Sequence, residues 1–114
     1  MNLLKEEKAL LSIFKIVREA HHIEVPPLHE VEFYTDRGGS LGRVGKHLGS
    51  GSMTFGICTN YSAGEMDITN PRFVKTVCHE LVHYNGIMNH KDEFWQALSL
   101  LYERVMNELG KEET

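Results

Sequence analysis

In Val77-Cys78-His79-Glu80-Leu81-Val82-His83-Tyr84 two histidines stand four residues apart, and a glutamate follows the first. On a helix, residues four apart share a face, so His79 and His83 can grip one ion together. The pattern H-E-x-x-H has a definite chemistry. Two neutral imidazoles and one further protein ligand leave a tetrahedral Zn2+ site with one position open for water. Glu80 sits a quarter-turn round from the pair and suits a general base that takes a proton from that water. An ordinary amphipathic helix with two wet histidines would carry the same letters. Phe73, Val74, Val77, Cys78, Leu81 and Val82 fill a broad apolar arc, and His79 and His83 fall opposite its centre. The two histidines therefore face solvent or a cleft, and a third ligand is needed to choose between these.

The flanking residues delimit this helix. Thr69 or Asn70 can cap its start, Pro71 suits its first turn, and Asn85-Gly86 stops it just past Tyr84. Upstream, residues 3–20 read as a first helix on Leu10, Ile13, Phe14 and Val17, ended before Pro26-Pro27. Four strands are expected between the two helices: Leu28 to Thr35, Gly42 to His47, Ser52 to Asn60 and Glu65 to Thr69. Turns at Asp36-Arg37-Gly38-Gly39, Gly49-Ser50-Gly51 and Ser62-Ala63-Gly64 separate them. The small sheet is expected to be mostly antiparallel, with Ser52–Asn60 as a free edge to which an extended substrate could add. The glycines between residues 38 and 51 have neither the G-x-G-x-x-G nor the Walker spacing of a phosphate loop. A last helix starts at about His90 on the stripe Phe94, Leu98, Leu101, Tyr102, Val105 and Leu109, and Gly110 is expected to end it. Docking of that stripe places His90 beside the preceding helix. The order is N-terminal helix, small sheet, zinc-binding helix and C-terminal helix, an α+β arrangement.

A chain of 114 residues reads as one domain, 1–114, and 41% hydrophobic residues suffice for a single core. The net charge of −4 argues against a general nucleic-acid footprint, and Arg37, Arg43, Lys46 and His47 read as a solvated loop. No apolar run has membrane-spanning length and no signal peptide is apparent, so a cytoplasmic monomer with no membrane association is expected. Cys58 and Cys78 form no CxxC and no disulfide framework; both are expected to be reduced, Cys78 as a small core residue.

Three residues compete to be the third ligand. His90 lies seven residues after His83 across a short turn, at a helix start where the dipole disfavours imidazolium and keeps the ring neutral. Glu103 has the spacing of a thermolysin-like ligand, but the wheel places it outside the docking stripe, and Glu93 is similarly placed.

His79-Glu80-Leu81-Val82-His83 followed by Asn89-His90-Lys91-Asp92-Glu93-Phe94-Trp95 resembles the SprT-like and WLM-type zinc metallopeptidases. Their pattern is HExxH, a short turn, then a His a few residues before Phe or Phe-Trp. The resemblance is specific over residues 70–102 and upstream is only an order of elements. It implies a zincin-like fold, a Zn2+ cofactor held by His79, His83 and His90, and Glu80 as the base of a zinc metalloendopeptidase. It also implies protein or peptide substrates. Some such enzymes act on proteins attached to DNA, and they usually carry extra binding segments that are not recognised here. The metzincin pattern HExxHxxGxxH fails by one residue, since Gly86 fits but Asn89 stands where its His belongs. Three alternatives stay open. One is a minimal gluzincin with Glu103 as third ligand. Another is a non-enzymatic zinc-stabilised interaction module, its site closed by His22, His29 or His47. The third is a latent enzyme covered by a loop or tail. Tyr61, Tyr84, His47 and Arg43 are candidates to assist the oxyanion.

Overall fold

The computed structural model describes residues 5–21, 23–34, 42–46, 53–58, 67–87 and 89–112. In chain order the elements are helix α1 (Lys5–His21), a 3-10 turn (Leu28–Glu30), strands β1 (Val31–Tyr34), β2 (Gly42–Lys46) and β3 (Met53–Cys58), and helices α2 (Pro71–Tyr84) and α3 (Asp92–Glu112). The class is mixed α+β. No described helix is long and apolar enough to cross a membrane.

Helix α2 sits at the centre, touching α3, α1 and the sheet through β2 and β3. Its limits follow from local chemistry. The Asn70 side chain accepts from the Arg72 N–H at 3.1 Å, and Pro71 occupies the first turn, where a missing N–H leaves nothing unsatisfied. At the other end Gly86 takes φ +105°, which a side chain resists, and its N–H returns to the His83 carbonyl at 2.9 Å. Phe73, Val74, Val77, Cys78 and Leu81 are wholly buried in one core with Leu10, Ile13, Phe14 and Val17 of α1, Phe55 and Ile57 of β3, and Phe94 and Val105 of α3. Phe55 joins the layers, meeting Phe14 edge-on at 5.7 Å and Tyr84 at 6.1 Å.

The sheet corrects the sequence reading in three respects. Its order is β1-β3-β2, with β1 parallel and β2 antiparallel to β3, so it is mixed and not mostly antiparallel. The strand expected at a free edge, Ser52–Asn60, supplies β3 and is central. Phe55, Gly56, Ile57 and Cys58 are all buried, and a strand covered on both faces gains most when both neighbours are paired. Among the described residues the outer strands are therefore β1 and β2. Third, Asp67–Thr69 is a turn that feeds the α2 cap, Asn70 N–H reaching the Asp67 carbonyl at 3.0 Å, and not the end of a fourth strand. Glu65 and Met66 lie outside the described residues. Two boundaries also move. Residues 28–30 form a 3-10 turn ahead of β1, and α3 runs through Gly110 to Glu112 because buried Leu109 anchors its last turns.

Candidate metal centre

His79 and His83 come from adjacent turns of α2, and His90 lies two residues before the start of α3. Their Nε2 atoms converge. His83 lies 3.1 Å from His79 and 3.1 Å from His90, and His90 lies 3.3 Å from His79. Tetrahedral zinc with imidazole bonds of about 2.0–2.1 Å requires nitrogen separations of about 3.3–3.4 Å. The triangle matches that requirement to within a few tenths of an ångström. These three histidines lie close enough together to bind a metal ion, and among the described residues no fourth imidazole, thiol or carboxylate joins them.

The second nitrogen of His83 explains why its own lone pair points inward. Nδ1–H of His83 donates to the Ile87 carbonyl at 2.8 Å, which leaves Nε2 unprotonated in the neutral ring. The Asn85-Gly86 turn brings Ile87 back over the helix end, its N–H reaching the Val82 carbonyl at 3.4 Å. The same turn is clasped from a distance. Asn85 Oδ1 accepts from Glu24 N–H at 3.0 Å, and Nδ2 donates to the Glu24 and Leu81 carbonyls at 2.9 and 2.8 Å. The sequence reading took Asn85-Gly86 only as a helix stop. That a stop two residues after HExxH can also orient the second histidine is a signal it passed over.

Phe94 is the floor of the site. Its ring, wholly buried, stacks on His83 at 4.6 Å and meets His79 and His90 edge-on at 4.7 and 4.9 Å. Trp95 holds His90 from outside: Nε1–H donates to the His90 carbonyl at 3.0 Å and the indole lies over the imidazole at 5.8 Å. Phe94 therefore alters one expectation from the helical wheel. Although it falls opposite the apolar arc, His83 is buried, because α3 covers that face as well.

Burial shifts His79 and Glu80 in opposite directions. Burial holds His79 down at about 4, helped by the positive potential of His83, His90 and Lys75, so its ring is neutral at pH 7. Burial alone pushes Glu80 up to about 7. It is only 6% exposed and has no hydrogen-bond partner among the described residues. Carboxyl groups are seldom left so, and such sites tend to be functional. Cys78 is pushed up to about 12 by burial and remains a core thiol.

The other candidates fall elsewhere. Glu103 and Glu93 are exposed on α3 and take no part in the cluster. His29 is exposed, 3.9 Å from Glu30. Tyr84 packs on Phe55, and burial together with Glu30 and Glu24 raises its hydroxyl, so it belongs to the 24–30 side of α2. His22, His47 and Tyr61, and the side chain of Arg43, lie outside the described residues. Compared with family models, curated proteins and solved structures, the chain matches none.

Proposed function

We propose that the chain is a zinc-dependent peptidase of zincin-like fold, acting on protein or peptide substrates through His79, His83, His90 and Glu80. The observation that carries this reading is the pairing of three converging Nε2 atoms with a buried carboxyl that has no partner among the described residues, one residue along the helix. Three imidazole nitrogens with no fourth protein ligand among the described residues suit a borderline-soft dication such as zinc and would leave it an open position. When bound, the metal supplies Lewis acidity, polarising a carbonyl and making water acidic near neutral pH. The residues supply the rest. His83, fixed through Ile87, and His90, fixed through Trp95, hold their nitrogens in place. Glu80 takes the proton of the attacking water and can hand it to the leaving amine. Burial raises the basicity of that carboxyl in the metal-free chain, and a bound dication would lower it again while leaving it beside the site. With β3 paired on both sides, an extended substrate would add to the outer edge of β2, the strand of the sheet that touches α2 along with β3.

The SprT-like and WLM-type resemblance adds the expectation of protein substrates, some attached to DNA; nothing in the described surface argues for the DNA itself. A zinc-stabilised interaction module is the rival reading, and the three-ligand cluster favours the enzyme over it. The test is zinc stoichiometry by elemental analysis together with hydrolysis of a denatured protein substrate. One zinc per chain, lost in His90→Ala, with chelator-sensitive cleavage is expected. Undiminished zinc in His90→Ala refutes the ligand set, and tightly bound zinc without cleavage promotes the module.

A further inference from the structure

Two of the three large exposed apolar side chains among the described residues stand close together on α3: Trp95, 47% exposed, and Leu100, 68% exposed. With Gln96 and Ser99 they line an open groove of about 460 Å³. It runs along the helix face opposite the buried stripe of Phe94, Leu98, Leu101 and Val105. Apolar side chains gathered on an exposed face mark contact sites more often than singly scattered ones do.

The groove and the metal centre share one neighbour, Trp95. That indole forms the near wall of the groove, lies 5.8 Å from the His90 ring and 6.3 Å from the His79 ring, and is braced edge-on by Phe94 at 5.0 Å. The hydrogen bond to the His90 carbonyl fixes it further. A large ring is thus held rigid while nearly half of it stays open to solvent. Rigid, half-exposed tryptophans bind at little entropic cost and dominate recognition surfaces.

We propose that this groove receives a large apolar side chain, aromatic or branched aliphatic, of a polypeptide whose carbonyl lies at the three-histidine site. The assignment rests on the peptidase reading of that site. The Trp95 ring, the near wall of the groove, lies 5.8 and 6.3 Å from the His90 and His79 rings, a span of roughly two extended residues at about 3.3 Å each. Trp95 and Leu100 are then specificity-determining residues, and the substrates are polypeptides that present an apolar residue beside the cleaved bond. Unfolded or locally opened chains fit this description.

Trp95 is the only tryptophan in the sequence, so its emission reports the groove directly. The probes are capped peptides of an Ala/Gly host carrying a single Phe, and the same peptides carrying Ser, added to the zinc-loaded protein. The Phe peptides are expected to move the Trp95 emission to shorter wavelength and to be cleaved with kcat/KM about tenfold above the Ser peptides, the lower end of apolar-pocket discrimination. Leu100→Gln, on the surface and outside the three-histidine cluster, is expected to abolish both effects with zinc content unchanged. Cleavage without a Phe preference, or with one that Leu100→Gln leaves intact, overturns the groove and spares the peptidase. An emission shift lost in Leu100→Gln, with no cleavage of any peptide, supports the groove and overturns the peptidase. An unchanged emission with every Phe peptide overturns the groove. So does a shift that appears on concentrating the protein alone with a dimer in sedimentation, which gives the groove to a second copy.

Discussion

Glu80→Gln separates what the site needs for chemistry from what the fold needs for stability. The carboxyl is 6% exposed and its proton is held up to about 7, against 4.5 in the unfolded chain. Between those values the folded chain keeps a proton that the unfolded chain has released. Stability from this group is therefore complete below pH 4.5 and is lost as pH rises through about 7. The interval corresponds to about 3 kcal/mol of destabilisation at pH 8 in the metal-free protein. Glutamine keeps the shape and never ionises. In excess chelator, denaturant unfolding should show Glu80→Gln gaining about 3 kcal/mol on the wild type between pH 4.5 and pH 8. His79 acts the other way. Held at about 4 against 6.5, it contributes stability above pH 6.5 that is lost as pH falls toward 4. That loss is common to both proteins and cancels in their difference. With zinc bound, the same variant should keep its metal while turnover falls about 10²–10⁴-fold, the ordinary loss for a general base. A stability difference that does not change with pH refutes the buried-carboxyl argument, and normal turnover refutes the base.

Three further outcomes are expected. Phe94→Ala removes a wholly buried ring that touches all three histidines and should lower stability by about 3–5 kcal/mol, with added zinc restoring part of it; equal zinc-induced rises in thermal midpoint for wild type, Phe94→Ala and Phe94→Ala/His90→Ala would sever α3 from the site. Gly86→Ala forces a side chain onto φ +105°, should cost about 1–2 kcal/mol, and should weaken zinc in a chelator competition by displacing the Ile87 carbonyl from His83; unchanged zinc affinity would detach the helix stop from ligand orientation. Co2+ should quench Trp95 emission at one equivalent through His90, 5.8 Å away, and should not do so in His79→Ala/His83→Ala; quenching that survives in that variant would place the metal elsewhere.

Much of the site was legible because its determinants are local. Asn70-Pro71 and Gly86 mark the ends of α2 through local backbone chemistry, and the four-residue spacing aligns His79 with His83 wherever the helix packs. His90 was legible through the short turn and the Phe94 stripe, since docking that stripe leaves the helix start nowhere else to go. Strand order was not legible, because alternation assigns faces and says nothing about neighbours. A clue was present in Phe55-Gly56-Ile57-Cys58, four residues without a charge, the composition of a strand covered on both faces. The burial of Glu80 was also beyond the helical wheel. A wheel gives an angle round one helix, whereas burial depends on how α2 is enclosed by α3 and the sheet.

That burial bears on what the site is for. A module that used a metal only as a staple would need converging nitrogens and would gain nothing from an uncompensated carboxyl beside them. Without metal, the chain carries two unfavourable features, three inward-facing nitrogens and a carboxyl without a partner among the described residues, which folding alone would replace with apolar groups at a gain in stability. Phe94 shows that apolar substitutes fit here, since it already packs flat on His83. One dication would relieve both features, pairing the nitrogens directly and lowering the proton affinity of Glu80 through its field. Groups that are costly apart and compensated together by a single ligand are expected of a catalytic centre. Relieving Glu80 by zinc should therefore remove the pH dependence of the stability difference between the wild type and Glu80→Gln, since the proton competition at the histidines is common to both.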